Sequence, residues 1–348
     1  MENNRKLKIL VTAIGGHSYG AQIAKSLSLL KGKYELYGTD ALQQEIVSEI
    51  SVERFCILPK ASSDSYLSAL VSLYKRENID FLIDGSEAEQ KILNENRAFL
   101  LENDVNWISN NKEVLDTCLN KIKFAGFLKK NNFLFPKTYL NYLDEAVIFP
   151  VILKPNLHSG GSSNVYIAQS REDVNAVLQL SKIRLEDFCI QEYVGDSESE
   201  YTVGILHNNK GKFLGSATLK RDLTQPLSVK TVAKNLTNRT ELGEKLVISS
   251  GFSQGILMQH KLIEDYCRMV AEKLGSTGAL NFQGRLKNDK FYIFEINPRF
   301  SGTSFMRALS DFNEADLWVK NLDNIDEIDP FYITKNAYYK RMVKEIKI

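Results

Sequence analysis

Short apolar runs alternate with stretches of helical periodicity from the first residues of the chain. "KILVTAIGG" reads as a buried strand, and the residues from about Gly20 to Leu30 as an amphipathic helix. "YELYGTD", "RFCILP", "IDFLID" and "VNWISN" read as four further strands. Between the middle two lies the helical stretch "SDSYLSALVSLYKREN", with Ser63 or Asp64 as its cap. Strand, helix and strand at this spacing predict a parallel sheet with helices on both faces, over residues 1–112.

The rhythm then changes. Residues 113–132 read as helix, and Pro136 closes that segment. "PVILKP" is a strand, followed by the loop "NLHSGGSSN" and the short strand "VYIA". A helix near 171–182 leads into the strand "FCIQEYV". Two hairpins are expected, one turning at Asn208 to Gly211 and one over 279–296, with an amphipathic helix at 257–274 between them. Antiparallel runs with separate helices predict α+β units rather than a continued doubly wound sheet.

Composition narrows the function classes. The chain has 348 residues, is 43% hydrophobic and 25% charged, and carries 44 basic against 43 acidic residues, a net charge of +1. That balance argues against nucleic acid held mainly through phosphate charge. No apolar run approaches the ~20 residues of a membrane span, and the polar start "MENNRKLKILV" does not read as a signal peptide. Cys56, Cys118, Cys189 and Cys267 form no C-x-x-C pair, as suits buried thiols in a reducing compartment. These features predict a cytoplasmic protein.

Four stretches carry candidate chemistry. In "TAIGGHSYG" the spacing is G-G-x-x-x-G, not the dinucleotide fingerprint G-x-G-x-x-G. A tight strand-to-helix turn is the simpler reading, with NAD binding as an alternative. In "FPVILKPNLHSGGSSN", Lys154 stands at a strand tip before Ser159, Gly160, Gly161, Ser162 and Ser163. A compact ammonium beside a loop of small residues, whose N–H groups can turn toward one anion, suits a phosphate. In "CIQEYVGDSESEYTV", Gln191 and Glu192 end one strand and Glu200 opens the next. Exposed backbone there can pair with an adenine edge, and a carboxylate can accept from ribose hydroxyls.

The fourth stretch is "FYIFEINPRFSG". Strict alternation would put Phe291, Ile293, Glu295 and Asn297 on one face. A carboxylate and an amide oxygen side by side are hard ligands suited to Mg²⁺, and Arg299 follows where it can offset phosphoryl charge. The partner run "ALNFQGRL" brings Gln283 opposite Glu295 only through a three-residue loop or a bulge. That register is expected, because it supplies a third oxygen.

"PVILKP", the Gly/Ser loop, "QEYV", "EYTV", "NFQG" and "FEINPRFSG" occur in the order seen in ATP-grasp ligases. The chain resembles most the ATP-binding halves of the carbamoyl phosphate synthetase large subunit and smaller stand-alone relatives. The resemblance implies a Rossmann-like domain at 1–112 and an ATP-grasp fold of two α+β subdomains, a lid with its linker helix at 113–190 and a larger one at 191–348. It implies ATP with Mg²⁺ or Mn²⁺. Lys121 and Lys154 match the residues on the ATP phosphates, and Gly160 to Ser163 the flap. Glu192 and Val194 match the adenine hinge, Glu200 the ribose carboxylate, and Gln283, Glu295 and Asn297 the metal set. Arg299 and Arg221 match two arginines near the transferred phosphate. Two departures stand out: Asn120 where an Asp often precedes the first lysine, and Gln283 where many relatives use an acid.

The implied activity is ADP-forming ligation of a small carboxylate to an amine, or to a thiol, through an acyl phosphate. A non-catalytic ATP-binding regulatory module and an NAD-dependent oxidoreductase are the alternatives. Candidate substrate contacts are Arg299, Ser301, Ser304, Arg307 and the turn Gly15 to Ser18. Partners are expected to be small molecules, neither nucleic acid nor membrane, with a homodimer as the default assembly.

Overall fold

The computed structural model describes residues 5–16, 18–42, 50–157, 164–326 and 328–342. Its first sheet is parallel, in the order Arg54–Ile57, Tyr34–Asp40, Leu7–Val11 and Phe81–Ile83. Both faces of Leu7–Val11 are covered. Ile9 and Val11 join one apolar cluster with the helix Tyr19–Ser28, and Leu10 joins another with the helix Tyr66–Arg76. The expected fifth strand is reduced to a single parallel bridge between Leu82 and Trp107. Trp107 instead gives its indole N–H to Asp84 at 2.8 Å.

The turn after the first strand is a packing device. Gly15 N–H donates to the Asp40 carboxylate at 2.9 Å. A Cβ on Gly20 would lie 2.3 Å from the Thr12 carbonyl oxygen and 2.8 Å from Gly85 Cα, so only glycine lets the helix approach the strand. The glycines serve a tight turn, and Asp40 is already engaged by it.

The segment expected as one helix at 113–132 is two, Lys112–Cys118 and Lys121–Lys130. Asn120 divides them, its side chain accepting from Lys123 N–H at 2.9 Å as an N-cap. The helix expected from 257 begins at Lys261, because Gly255–Met258 is a strand. A four-stranded antiparallel sheet follows the order Thr138–Tyr139, Phe188–Glu192, Val151–Pro155 and Tyr166–Ala168. It is closed by the helix Arg171–Ser181 over its own apolar cluster.

The largest sheet runs Lys290–Asn297, Ala279–Lys287, Glu200–His207, Phe213–Arg221, Gly255–Met258 and Ala337–Tyr339, with Phe331–Tyr332 added beside Phe213–Arg221. On one face the helix Lys261–Leu274 packs through Ile263, Cys267 and Val270. Leu206, Leu214, Phe312 and Trp318 share a cluster with Ile9 and Val11 of the first sheet and Leu27 of the helix that follows it. One continuous core therefore fixes the parallel unit against the large sheet.

His207, at the end of its strand, is 1% exposed, with its ring 5.6 Å from that of Phe213. Burial pushes its imidazole from 6.5 down to about 4, so the folded protein holds it neutral. The unfolded chain takes up that proton as pH falls below ~6.5. Stability is therefore expected to decline between pH 6.5 and about 4 and to lose nothing more to this group below that. Replacing His207 with Phe should flatten the dependence of melting temperature on pH across that window. A profile parallel to wild type would show that His207 is not responsible.

Candidate active site

A cavity of about 850 Å³ lies where these three sheets converge, lined also by Val247, Ile248 and Ser249 of a two-stranded sheet formed by Val229–Lys234 and Lys245–Ser249. The lid sheet contributes Lys154, Gln191 and Glu192, the segment just past it Val194, and the large sheet Glu200, Arg221, Gln283, Glu295 and Asn297. The parallel unit contributes Ser18, Tyr19 and the segment Gly85–Ala88. Lys121 and Arg299 also line it. Ser159, Gly160, Gly161, Ser162 and Ser163 lie outside the described residues, as does His17.

The hairpin at its floor has the register expected from sequence. Asn288 and Asp289 make a two-residue turn with φ of 50° and 56°, Gln283 pairs with Glu295, and Gly284 pairs with Ile293. Phe294 is thus the extra residue of a β-bulge. The bulge corrects the face assignment. Phe291, Ile293 and Ile296 all enter the core, while Tyr292, Phe294, Glu295 and Asn297 line the cavity. The phase slips by one residue at Phe294, so Glu295 and Asn297 share a face with Tyr292 and not with Ile293.

The bulge also serves the lysine opposite. Lys154 Nζ donates to the Phe294 carbonyl at 2.7 Å and to Gln191 Oε1 at 2.9 Å. Burial lowers the pKa of this ammonium, and the Glu295 charge is among the opposing influences. The lysine therefore stands desolvated one residue from Glu295, with no carboxylate in ion-pair contact among the described residues. Such a cation is poised for an incoming anion.

Gln283, Glu295 and Asn297 stand on two paired strands and line the same cavity. Within the described residues, the Gln283 and Glu295 side chains accept no hydrogen bond from protein, while Asn297 Oδ1 accepts from Arg299 Nη2 at 3.2 Å. Among those residues there is no cluster of three His, Cys, Asp or Glu. A set of one carboxylate and two amides fits a hard divalent ion that completes its shell with water and phosphate oxygens.

Arg299 is held from the parallel unit. Its Nη2 donates to Glu87 Oε1 at 3.1 Å, and its guanidinium lies 4.4 Å above the Tyr19 ring. Tyr19 in turn donates its hydroxyl to Asp84 at 2.5 Å. Arg221 is engaged at the opposite wall. Glu200, 1% exposed, faces Arg221 Nη1 at 3.3 Å and accepts from Arg285 Nε and Nη2 at 3.1 and 2.9 Å. Arg221 Nη2 also donates to the Ser250 carbonyl at 2.9 Å. Glu192 pairs with Arg239 at 3.2 Å. Despite its burial, the two guanidiniums hold the Glu200 carboxyl below the usual range.

Of the other expected substrate contacts, Ser18 and Ser301 reach the cavity. Ser304 and Arg307 do not. Arg307, 1% exposed, donates to Glu314 Oε1 and to Asn281 Oδ1, each at 2.8 Å, and Ser304 donates to Glu314 at 2.7 Å. They brace the floor from behind, because a guanidinium between two strands finds its acceptors inside the protein. Sequence reasoning missed Tyr19, Glu87, Asn281, Arg285 and Arg341 of the site. Asn281 and Arg285 carried a local signal, standing two residues before and after Gln283 on one strand and so on its face.

The family described as "ATP-grasp in the biosynthetic pathway with Ter operon" matches residues 245–345. The L-amino acid ligase from Bacillus licheniformis superposes with a TM-score of 0.62 at 15% identity, over 92% of this chain and 74% of that one. The chain has the ATP-grasp fold. The D-alanine–D-alanine ligase from Bacillus anthracis, crystallised with ATP, shares that fold with a TM-score of 0.55 at 14% identity, over 91% of this chain and 96% of the ligase. In sequence, the large chain of carbamoyl phosphate synthase from Thermoplasma acidophilum is 24% identical over 258 residues. That match takes in 70% of this chain and 23% of the relative, so this chain spans less than a quarter of its length. No helix among the described residues is long and apolar enough to cross a membrane.

Proposed function

We propose that the chain is an ADP-forming ligase that uses ATP and Mg²⁺ to join a small carboxylate to an amine, with a thiol as the variant acceptor. One observation carries this reading: Gln283, Glu295 and Asn297 on paired strands, and a desolvated lysine bonded to the bulge beside Glu295, line one cavity. Its division into a domain at 1–112, a lid at 113–190 and a large subdomain at 191–348 is part of the proposal.

In this reading Lys121, Lys154 and the loop Ser159 to Ser163 take the ATP phosphates. Gln191, Glu192 and Val194 border the adenine, and Glu200 stands beside the ribose with its two arginines. Gln283, Glu295 and Asn297 would hold Mg²⁺ or Mn²⁺, which supplies charge neutralisation on the phosphates when bound. The substrate carboxylate oxygen attacks the γ-phosphorus, the bond to the ADP oxygen breaks, and an acyl phosphate forms. The amine then bonds to the acyl carbon, the C–O bond to phosphate breaks, and the amine proton leaves with the phosphate. Arg299 and Arg221 offset charge on the transferred group. The protein supplies position and fixed charge and needs no covalent nucleophile.

The test is ADP release from ATP and Mg²⁺ with pooled amino acids and sugar acids, followed by mass detection of an amide product. ATP binding without turnover against any pool would favour the regulatory module. Replacing Lys154 with Met is expected to lower turnover by about 10²-fold or more, as loss of a fixed charge at a developing anion does, while the melting temperature is maintained. Turnover within twofold of wild type would remove Lys154 from the phosphate site.

A further inference from the structure

The cavity holds four arginines, and three of them face a carboxylate. Arg221 and Arg285 share Glu200, and Arg299 faces Glu87. Arg341 does not: among the described residues no Asp or Glu lies within ion-pair distance of it. It comes from the C-terminal strand region, where Ala337–Tyr339 pairs with Gly255–Met258 and Arg341 N–H donates to Gln254 Oε1 at 2.7 Å. Its Nε donates to the Ser253 carbonyl at 3.2 Å and its Nη2 to the Gly302 carbonyl. Both are neutral acceptors. Within the described residues Nη1 makes no hydrogen bond to protein, and the side chain lines the cavity. Burial, with the nearby Arg221 charge adding, pushes the guanidinium down to about 10. A sequestered cation without a counter-ion is costly to the fold, and a planar fork with a free edge matches a carboxylate.

Its place in the cavity says which carboxylate. Arg299 lies at one end of the turn that leads from Asn297, so the acid to be phosphorylated belongs there. Arg341 holds the far end of that turn, at Gly302, together with the loop that carries Ser253. An amine adds to the acyl carbon across a face of its carbonyl plane while the phosphate is still attached, so a carboxylate carried by that amine needs a cation near this same turn other than Arg299, and Arg341 is the one without a carboxylate partner among the described residues. We propose that Arg341 binds the carboxylate of the amine acceptor, and that the acceptor is therefore an amino acid. The inference rests on the ligase reading above and deepens it.

The experiment gives the full chain ATP, Mg²⁺, a pool of the twenty protein amino acids and an equal pool of their α-carboxamides, with products weighed by mass spectrometry. Free amino acids can act as acid or acceptor, and the carboxamides, with those of Asp and Glu left out because their side chains keep a carboxylate, only as acceptor. Wild type is expected to form products ending in a carboxylate in at least about tenfold excess over those ending in a carboxamide, as a charge-paired contact implies. In Arg341→Gln that excess should collapse to within about twofold of parity, with KM for ATP unchanged. An excess that survives Arg341→Gln, or parity already in wild type, overturns the assignment while leaving the ligase reading intact. Absence of ADP and product from wild type with every pool overturns both together. Should Arg341→Gln fail to fold, Arg341→Lys decides: KM for the amino-acid pool raised at constant KM for ATP supports the contact, and both values unchanged refute it.

Discussion

Replacing Glu295 with alanine is expected to lower ATP-dependent turnover by about 10²–10³-fold, the scale on which loss of one fixed electrostatic group acts on a phosphoryl or acyl transfer. The reason lies in the donor set. Gln283 and Asn297 offer neutral oxygens, so Glu295 provides its only formal negative charge. The side chain is half-buried and accepts no hydrogen bond from protein among the described residues, so its removal strands no buried donor. The melting temperature of the free protein should therefore stay close to wild type. The stabilisation that ATP with Mg²⁺ confers should shrink, since ligand linkage reports affinity directly. Glu295→Asp keeps the charge on a shorter stem and should recover part of the activity. Near-normal turnover in Glu295→Ala would contradict the metal assignment.

The second large effect is on stability. Glu200→Ala leaves Arg221 and Arg285 facing each other at side-chain exposures of 2% and 6%. Removing one member of a buried charge cluster costs about 3–5 kcal/mol, because the remaining charge is left uncompensated. Two guanidiniums left without their anion should place this variant at the upper end. Equilibrium denaturation measures the loss. The native carboxyl titrates below its ordinary value of 4.5. Its contribution is thus fully present above about pH 4.5 and is lost as pH falls through the lower native value. The gap between wild type and Glu200→Ala should accordingly narrow in acid. Adding Arg285→Met to the variant removes one of the stranded charges and should recover part of the loss. Unchanged stability in the single variant would show that the triad does not hold this wall.

Much of the floor of the cavity was legible in the sequence, because it is built from near neighbours on one hairpin. The pairing of Gln283 with Glu295 follows from a short polar turn and the need for an extra residue. The position of that residue was also written in the chain: core residues Phe291 and Ile293 are two apart, while Ile293 and Ile296 are three apart. Strict alternation ignores that slip and so gives the wrong face. The "VNWISN" stretch shows the converse limit. Its apolar pattern suits a strand, yet Trp107 is drawn to Asp84 and the ladder stops after one bridge. Tyr19, Glu87 and Arg341 were invisible for another reason. Each reaches the cavity from a separate element, and no local spacing records that Arg299 lies over Tyr19 or that Arg341 meets Gly302.

The most direct measurement of the central claim follows the oxygen that links the acid to the phosphate. The amino-acid pool is labelled with ¹⁸O in its carboxyl groups and incubated with ATP and Mg²⁺, and the released phosphate is weighed. Attack of a carboxylate oxygen on the γ-phosphorus, followed by capture of the acyl carbon, predicts one ¹⁸O in each phosphate formed, in step with ADP. Unlabelled phosphate accompanying ADP and product would contradict an acyl phosphate.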